Sequence, residues 1–122
     1  MAVKLNHTIV HARDQRAAAT FLAEILGLPA PRPFGPFLAV QAANEVTLDY
    51  LETEEPLTVE HYAFAVSDEE FDAIFARVKG RSIRYWADPG RTREGETNDW
   101  NGGRGFYFED PSGHLMEVLT RP

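Results

Sequence analysis

The sequence predicts an α+β fold made of two tandem βαβββ modules. The pattern strand, helix, strands occurs once in residues 1–53 and again in residues 57–122, with a short acidic linker at Thr53–Pro56. Laid on one another, the halves match at a single offset: His7 falls on His61, Asp14 on Asp68 and Phe21 on Phe75. A period longer than a solenoid unit, present in only two copies, points to pseudo-twofold pairing of modules within one domain. The length of 122 residues and 43% hydrophobic content suit a single domain with a real core.

In the first module, Leu5–Ala12 reads as a strand. Asp14 is placed to cap a helix over Gln15–Leu26, where Ala18, Phe21, Leu22, Ile25 and Leu26 follow the i, i+3, i+4, i+7 rule. Gly27 suits the left-handed residue that ends such a helix. Pro29–Pro36, with four prolines, reads as an extended connection. Phe37–Ala42 and Glu45–Leu51 form a hairpin about Ala43-Asn44.

The second module restarts with a strand at Val59–Val66. Ser67 and Glu70 have capping-box spacing ahead of a helix whose stripe is Phe71, Ile74, Phe75 and Val78, with Gly80 at its end. Ser82–Trp86 reads as a strand, and Ala87–Arg104 as a long polar loop expected to close over a cleft. The stretch Gly105–Thr120, GFYFEDPSGHLMEVLT, reads as two strands joined by a Pro-Ser-Gly turn.

Composition excludes several classes. The net charge of −7 argues against nucleic acid and against anionic membranes. Without cysteine there is neither a disulfide framework nor thiolate chemistry. No apolar run approaches a membrane span and no secretory h-region is visible, so a soluble, cytoplasmic protein is expected.

Glu117 is out of place in this pattern, a carboxylate inside the apolar run Leu115–Leu119. Turned inward without a partner it would cost on the order of several kcal/mol. The repeat gives it a counterpart, since Thr47–Leu51 falls on Leu115–Leu119 and Asp49 on Glu117. Strand parity adds two histidines. Thr8 and Val10, like Tyr62, Phe64 and Val66, suit the helix side, which leaves His7 and His61 on the opposite faces. Two imidazoles with one or two carboxylates suit a divalent metal site with open positions. His7, His61, Glu117 and Asp49 are the candidate ligands, and Glu117 and Asp49 the candidate proton-transfer groups. His11 lies roughly 13 Å along the strand from His7 and reads as a rim residue, and His114 as a turn or edge residue. Trp86, Trp100, Tyr107 and Phe37 are candidate substrate-pocket walls, with Arg104 as a partner for an anionic substrate group.

These residues resemble the vicinal-oxygen-chelate superfamily, which includes glyoxalase I, bleomycin- and fosfomycin-resistance proteins and extradiol dioxygenases. The resemblance spans the chain and rests on LNHTIV with His7, EHYAFAVSDEEFD with His61, and YFEDPSGHLMEV with Glu117. It implies a cupped eight-stranded mixed sheet with helices outside, a homodimer, and a divalent ion (Fe, Zn, Ni or Mn) held by His7, His61 and Glu117. Asp49 takes the place of the fourth carboxylate of glyoxalase I. The departures narrow the chemistry. The histidine that extradiol dioxygenases need upstream of the YFEDPSG-like signature is missing, since Asn98, Asp99 and Trp100 occupy its window. Ile9 stands where fosfomycin-resistance enzymes have a threonine. The expectation is therefore a metal-dependent enzyme that chelates a small oxygen-rich substrate, nearer lyase or isomerase chemistry than ring cleavage. The alternative is a bleomycin-resistance-type protein that sequesters a small molecule.

Overall fold

A computed structural model describes residues 2–122. The chain divides between Thr58 and Val59 into two compact units. Each holds one helix and one four-stranded mixed sheet.

In the first unit the elements are β1 (His7–Ala12), α1 (Gln15–Leu26), β2 (Arg32–Phe34), β3 (Phe37–Gln41) and β4 (Thr47–Glu52), with sheet order β1-β4-β3-β2. β1 and β4 run parallel, and the other pairs are antiparallel. α1 begins where Asp14 accepts a hydrogen bond from the Ala17 N–H and ends at Gly27, whose φ of 70° is left-handed. Val10, Ala12, Ala18, Leu22, Ile25, Val40 and Tyr50 are fully buried and form the unit's core.

The expected connection Pro29–Pro36 contains a strand. β2 lies at the sheet edge and pairs only with β3, so the N–H that Pro33 lacks is not needed for a second neighbour. The turn between β3 and β4 places its left-handed residue at Glu45 (φ 69°) and closes through the Ala42 N–H donating to the Val46 carbonyl.

The second unit repeats the plan with β5 (His61–Ala65), α2 (Asp68–Gly80), β6 (Tyr85–Trp86), β7 (Gly105–Glu109) and β8 (Leu115–Leu119), in the order β5-β8-β7-β6. The capping box forms in full: the Glu70 N–H donates to Ser67 Oγ and the Ser67 N–H to the Glu70 carboxylate. Gly80 is the last helical residue, as its place in the sequence predicts, and Arg81 is the cap. The chain then turns through Ser82 (φ 56°), which shortens the expected strand Ser82–Trp86 to two residues. Phe71 and Phe75 meet Phe106 at 5.4 and 5.2 Å between ring centres, and this aromatic cluster joins α2 to its sheet.

Among the described residues, no helix is long and apolar enough to cross a membrane.

Candidate metal centre

The register of the second sheet sorts its side chains onto two faces. Phe106, Phe108, Met116 and Val118 are fully buried on the side of α2. His61, Ala63, Glu117, Tyr107 and Trp86 share the other face. There His61 Nε2 lies 3.0 Å from Glu117 Oε1. The contact is diagonal. The direct neighbour of Glu117 on β5 is Ala63, too small to block the carboxylate from reaching the imidazole two residues earlier. The Glu117 side chain is only 11% exposed, whereas that of His61 is 46% exposed. The carboxylate is thus nearly dry and the imidazole open to solvent.

Tyr107 stands directly across from Glu117 on β7, and its phenol donates a hydrogen bond to that carboxylate. Burial, reinforced by the charge and hydrogen bond of Glu117, pushes the Tyr107 phenol well above its ordinary range. The hydroxyl therefore keeps its proton at neutral pH. Its ring lies 5.7 Å from that of His61 and 6.1 Å, edge-on, from that of Trp100.

Trp100 is exposed yet firmly placed. It opens a short 3-10 turn (Trp100–Gly102) in which Asn101 takes a left-handed φ of 57°. Asn98, buried, organises the turn: its Nδ2 donates to the Ala87 carbonyl, its Oδ1 accepts from the Trp100 N–H, and its backbone bridges Gly105 in both directions. A side chain at Gly103 would collide with Thr120 and Arg121, so the turn sits tightly against the end of β8. The segment Ala87–Arg104 is accordingly a tied structure rather than an open loop. A single asparagine among polar loop residues carries no sequence signal for this role.

The first sheet is sorted in the same way. His7, Ile9 and His11 of β1 share a face with Thr47, Asp49 and Leu51 of β4, opposite the buried Val10 and Ala12. His7 is exposed, and its Nδ1 lies 2.7 Å from Asn6 Oδ1. An amide oxygen only accepts, so Nδ1 carries the proton and Nε2 of the neutral ring keeps its lone pair. Asp49 is buried at 4% exposure between Ile9 and Ala39, and its Oδ1 has no hydrogen-bond partner.

Other sequence candidates fall elsewhere. Arg104 is not a free cation beside His61. It precedes Gly105, points to the helix side and bonds Asp72 at 2.8 Å and Asp68 at 3.2 Å, with its guanidinium 4.3 Å from the Phe71 ring centre. The first two turns of α2 supply those acids, which no local pattern around Arg104 announces. Trp86 shares the face of Tyr107 but is buried, with Arg84 and Arg91 near its ring. Phe37 lines a pocket of 320 Å³ with Asp14, Gln15, Pro33, Pro36 and Glu52, at the start of α1. His114, read as a turn or edge residue, is 1% exposed.

The donor chemistry of the second unit fits two corners of a metal site. An imidazole nitrogen and a carboxylate oxygen meet within hydrogen-bond distance on a face their helix leaves open, and losing the shared proton frees both for one cation. Among the described residues, no group of three or more His, Cys, Asp or Glu gathers closely enough to hold an ion.

A sequence profile described as the Glyoxalase/Bleomycin resistance protein/Dioxygenase superfamily matches residues 4–118. The chain belongs to that superfamily. Among solved structures of this superfamily fold, "Oxidase ChaP-H1" is 58% identical, with a TM-score of 0.98 over 99% of this chain and 98% of that one. "Oxidase ChaP-H2" is 54% identical, with a TM-score of 0.97 over 100% of this chain and 96% of that one. A curated superfamily relative, glutathione transferase FosA from Serratia marcescens, is 27% identical over 124 residues, covering 97% of this chain and 81% of FosA.

Proposed function

We propose that the protein is a metal-dependent oxidase acting on a small substrate that carries two neighbouring oxygens. The observation that carries this reading is the His61–Glu117 pair on the open face of the second sheet. The likeness to two proteins named as oxidases, above half identity over nearly the whole chain, supports oxidation over the lyase or isomerase chemistry that the family resemblance alone favours. Dioxygen is the electron acceptor that the name oxidase implies.

His61 and Glu117 would hold a divalent ion, and the superfamily resemblance implies His7 as a further ligand and Asp49 as a candidate fourth. When bound, the ion supplies Lewis acidity toward the two substrate oxygens. The chain's own groups do the rest. Tyr107 keeps its phenolic proton and aims it at Glu117, which fixes that carboxylate's rotamer. Glu117, and Asp49 with its unpartnered Oδ1, are the groups available to take a substrate proton. Trp100, held on its tied turn beside Tyr107, offers an apolar wall. We further take the working form to be a homodimer, as the superfamily resemblance implies. A monomer mass by light scattering at micromolar concentration would remove that part of the proposal.

Elemental analysis of protein purified without chelator tests the reading. The native chain is expected to carry a divalent metal, and His61→Ala to retain less than about a tenth of it. Full occupancy in His61→Ala would overturn the assignment. A native protein free of metal, with a melting temperature unmoved by added nickel, zinc, manganese or iron, would favour a sequestering protein instead.

A further inference from the structure

We infer that His114 is a positioning residue for His61: its ring holds the backbone N–H of Glu60, the residue that precedes His61, and so fixes the imidazole against Glu117. The inference rests on the proposed role of His61 as a metal ligand.

His61 is the first residue of β5, at the point where a strand most easily frays. Its side chain is about half exposed, so packing alone does little to hold it. The backbone before it is gripped from β8. The Glu60 carbonyl accepts from the Leu115 N–H at 2.9 Å, and the Glu60 N–H donates to His114 Nδ1 at 3.0 Å. Both backbone polar groups of Glu60 are thus tied to consecutive residues at the end of the Pro-Ser-Gly turn. That turn is itself braced. Asp110 Oδ1 accepts from the Ser112 and His114 N–H groups, and the Asp110 N–H donates to the His114 carbonyl. Tyr62 closes over the His114 ring edge-on at 5.9 Å. With Nδ1 accepting, the neutral ring carries its proton on Nε2.

The first module makes the specificity of this device visible. Glu60 corresponds to Asn6 at the offset that pairs His61 with His7, and His114 to Val46 in the late-strand alignment that pairs Glu117 with Asp49. The first tie recurs, with the Thr47 N–H donating to the Asn6 carbonyl at 3.0 Å. The second cannot, because the valine side chain accepts no hydrogen bond. There His7 is steadied by the Asn6 side chain acting directly on its ring. Each histidine that opens a strand has its own brace, and His114 is the one belonging to His61.

The test uses the full chain. His114→Asn keeps an acceptor where Nδ1 stands, because Asn Oδ1 and His Nδ1 are both bonded to Cγ, while His114→Leu removes it. Zn²⁺ affinity, measured by competition with a chromophoric chelator well below each variant's melting temperature, is expected to fall about tenfold in His114→Leu and to recover most of that loss in His114→Asn. The Glu60 amide is expected to exchange about tenfold faster in His114→Leu than in the native chain or His114→Asn. Equal Zn²⁺ affinity in all three proteins, or an asparagine variant no better than the leucine one, overturns the inference. If His114→Leu fails to fold, the native protein decides through long-range ¹⁵N spectra of the ring: a proton on Nε2 supports the brace, and a proton on Nδ1 overturns it. Should His61→Ala keep its metal, the ligand reading fails while amide exchange and ring tautomer still report on His114.

Discussion

Asp49 and Glu117 occupy the same place in the two modules, and only one of them is satisfied. Each sits in the last strand of its unit, with a parallel neighbour on one side and an antiparallel neighbour on the other. For Glu117 those neighbours are Ala63 and Tyr107, and for Asp49 they are Ile9 and Ala39. The two carboxylates are almost equally buried, at 8% and 4% exposure. Glu117 accepts from a phenol and meets an imidazole, whereas Asp49 faces a methyl group and a branched alkyl chain and leaves Oδ1 without a partner. The repeat sets where a carboxylate stands. Its cross-strand neighbours decide whether that carboxylate belongs to a finished network or is held at a cost.

The sharpest way to break this comparison is to remove both carboxylates in turn, in chelator, and measure unfolding in urea. Glu117→Leu strands the Tyr107 phenol and is expected to lose about 2 kcal/mol. Asp49→Val removes an unsatisfied buried oxygen and is expected to gain about 1 kcal/mol. Changes of the same sign would show that the two environments are equivalent after all. A smaller effect, a loss of about 1 kcal/mol, is expected from Tyr107→Phe, which gives Glu117 the kind of neighbour that Asp49 has. An unchanged urea midpoint in that variant would mean the phenol does not support Glu117.

The helices supply the smallest contrast. Asp14 and Ser67 both cap, but only α2 has the reciprocal bond in which the Ser67 N–H lowers the Glu70 carboxyl below its ordinary value of 4.5. A carboxyl lowered on folding contributes stability that is present above 4.5 and is lost as pH falls through its folded value. The native chain should therefore melt slightly above Glu70→Gln at pH 7, and the gap should close as pH drops below the ordinary carboxylate range. A gap that persists at low pH would separate Glu70's role from its charge.

Much of this was legible in residue order. Helix positions, both caps, the left-handed Gly27 and the face of each strand histidine follow from spacing and local chemistry, which act within a few residues. β2 was hidden because its three residues include Pro33, and only the edge position of the strand makes that proline harmless. Arg104 looked free because Asp68 and Asp72 are remote in sequence and arrive only when α2 packs on its sheet. His114 looked like a turn residue because its acceptor role depends on the Glu60 amide, brought alongside by the parallel pairing of β5 with β8.

By itself, then, the sequence determined the repeat, the element order and the choice of His7, His61, Asp49 and Glu117 as the residues to watch. Those properties follow from periodicity and matching offsets, which need no knowledge of long-range contacts. Tertiary structure alone decided which groups meet: Tyr107 and His61 at Glu117, Asn98 beneath Trp100, His114 behind His61, and nothing at Asp49 Oδ1. A hydrogen bond depends on distance and direction within a few tenths of an ångström. Strand register sets that geometry between residues that chain order leaves far apart.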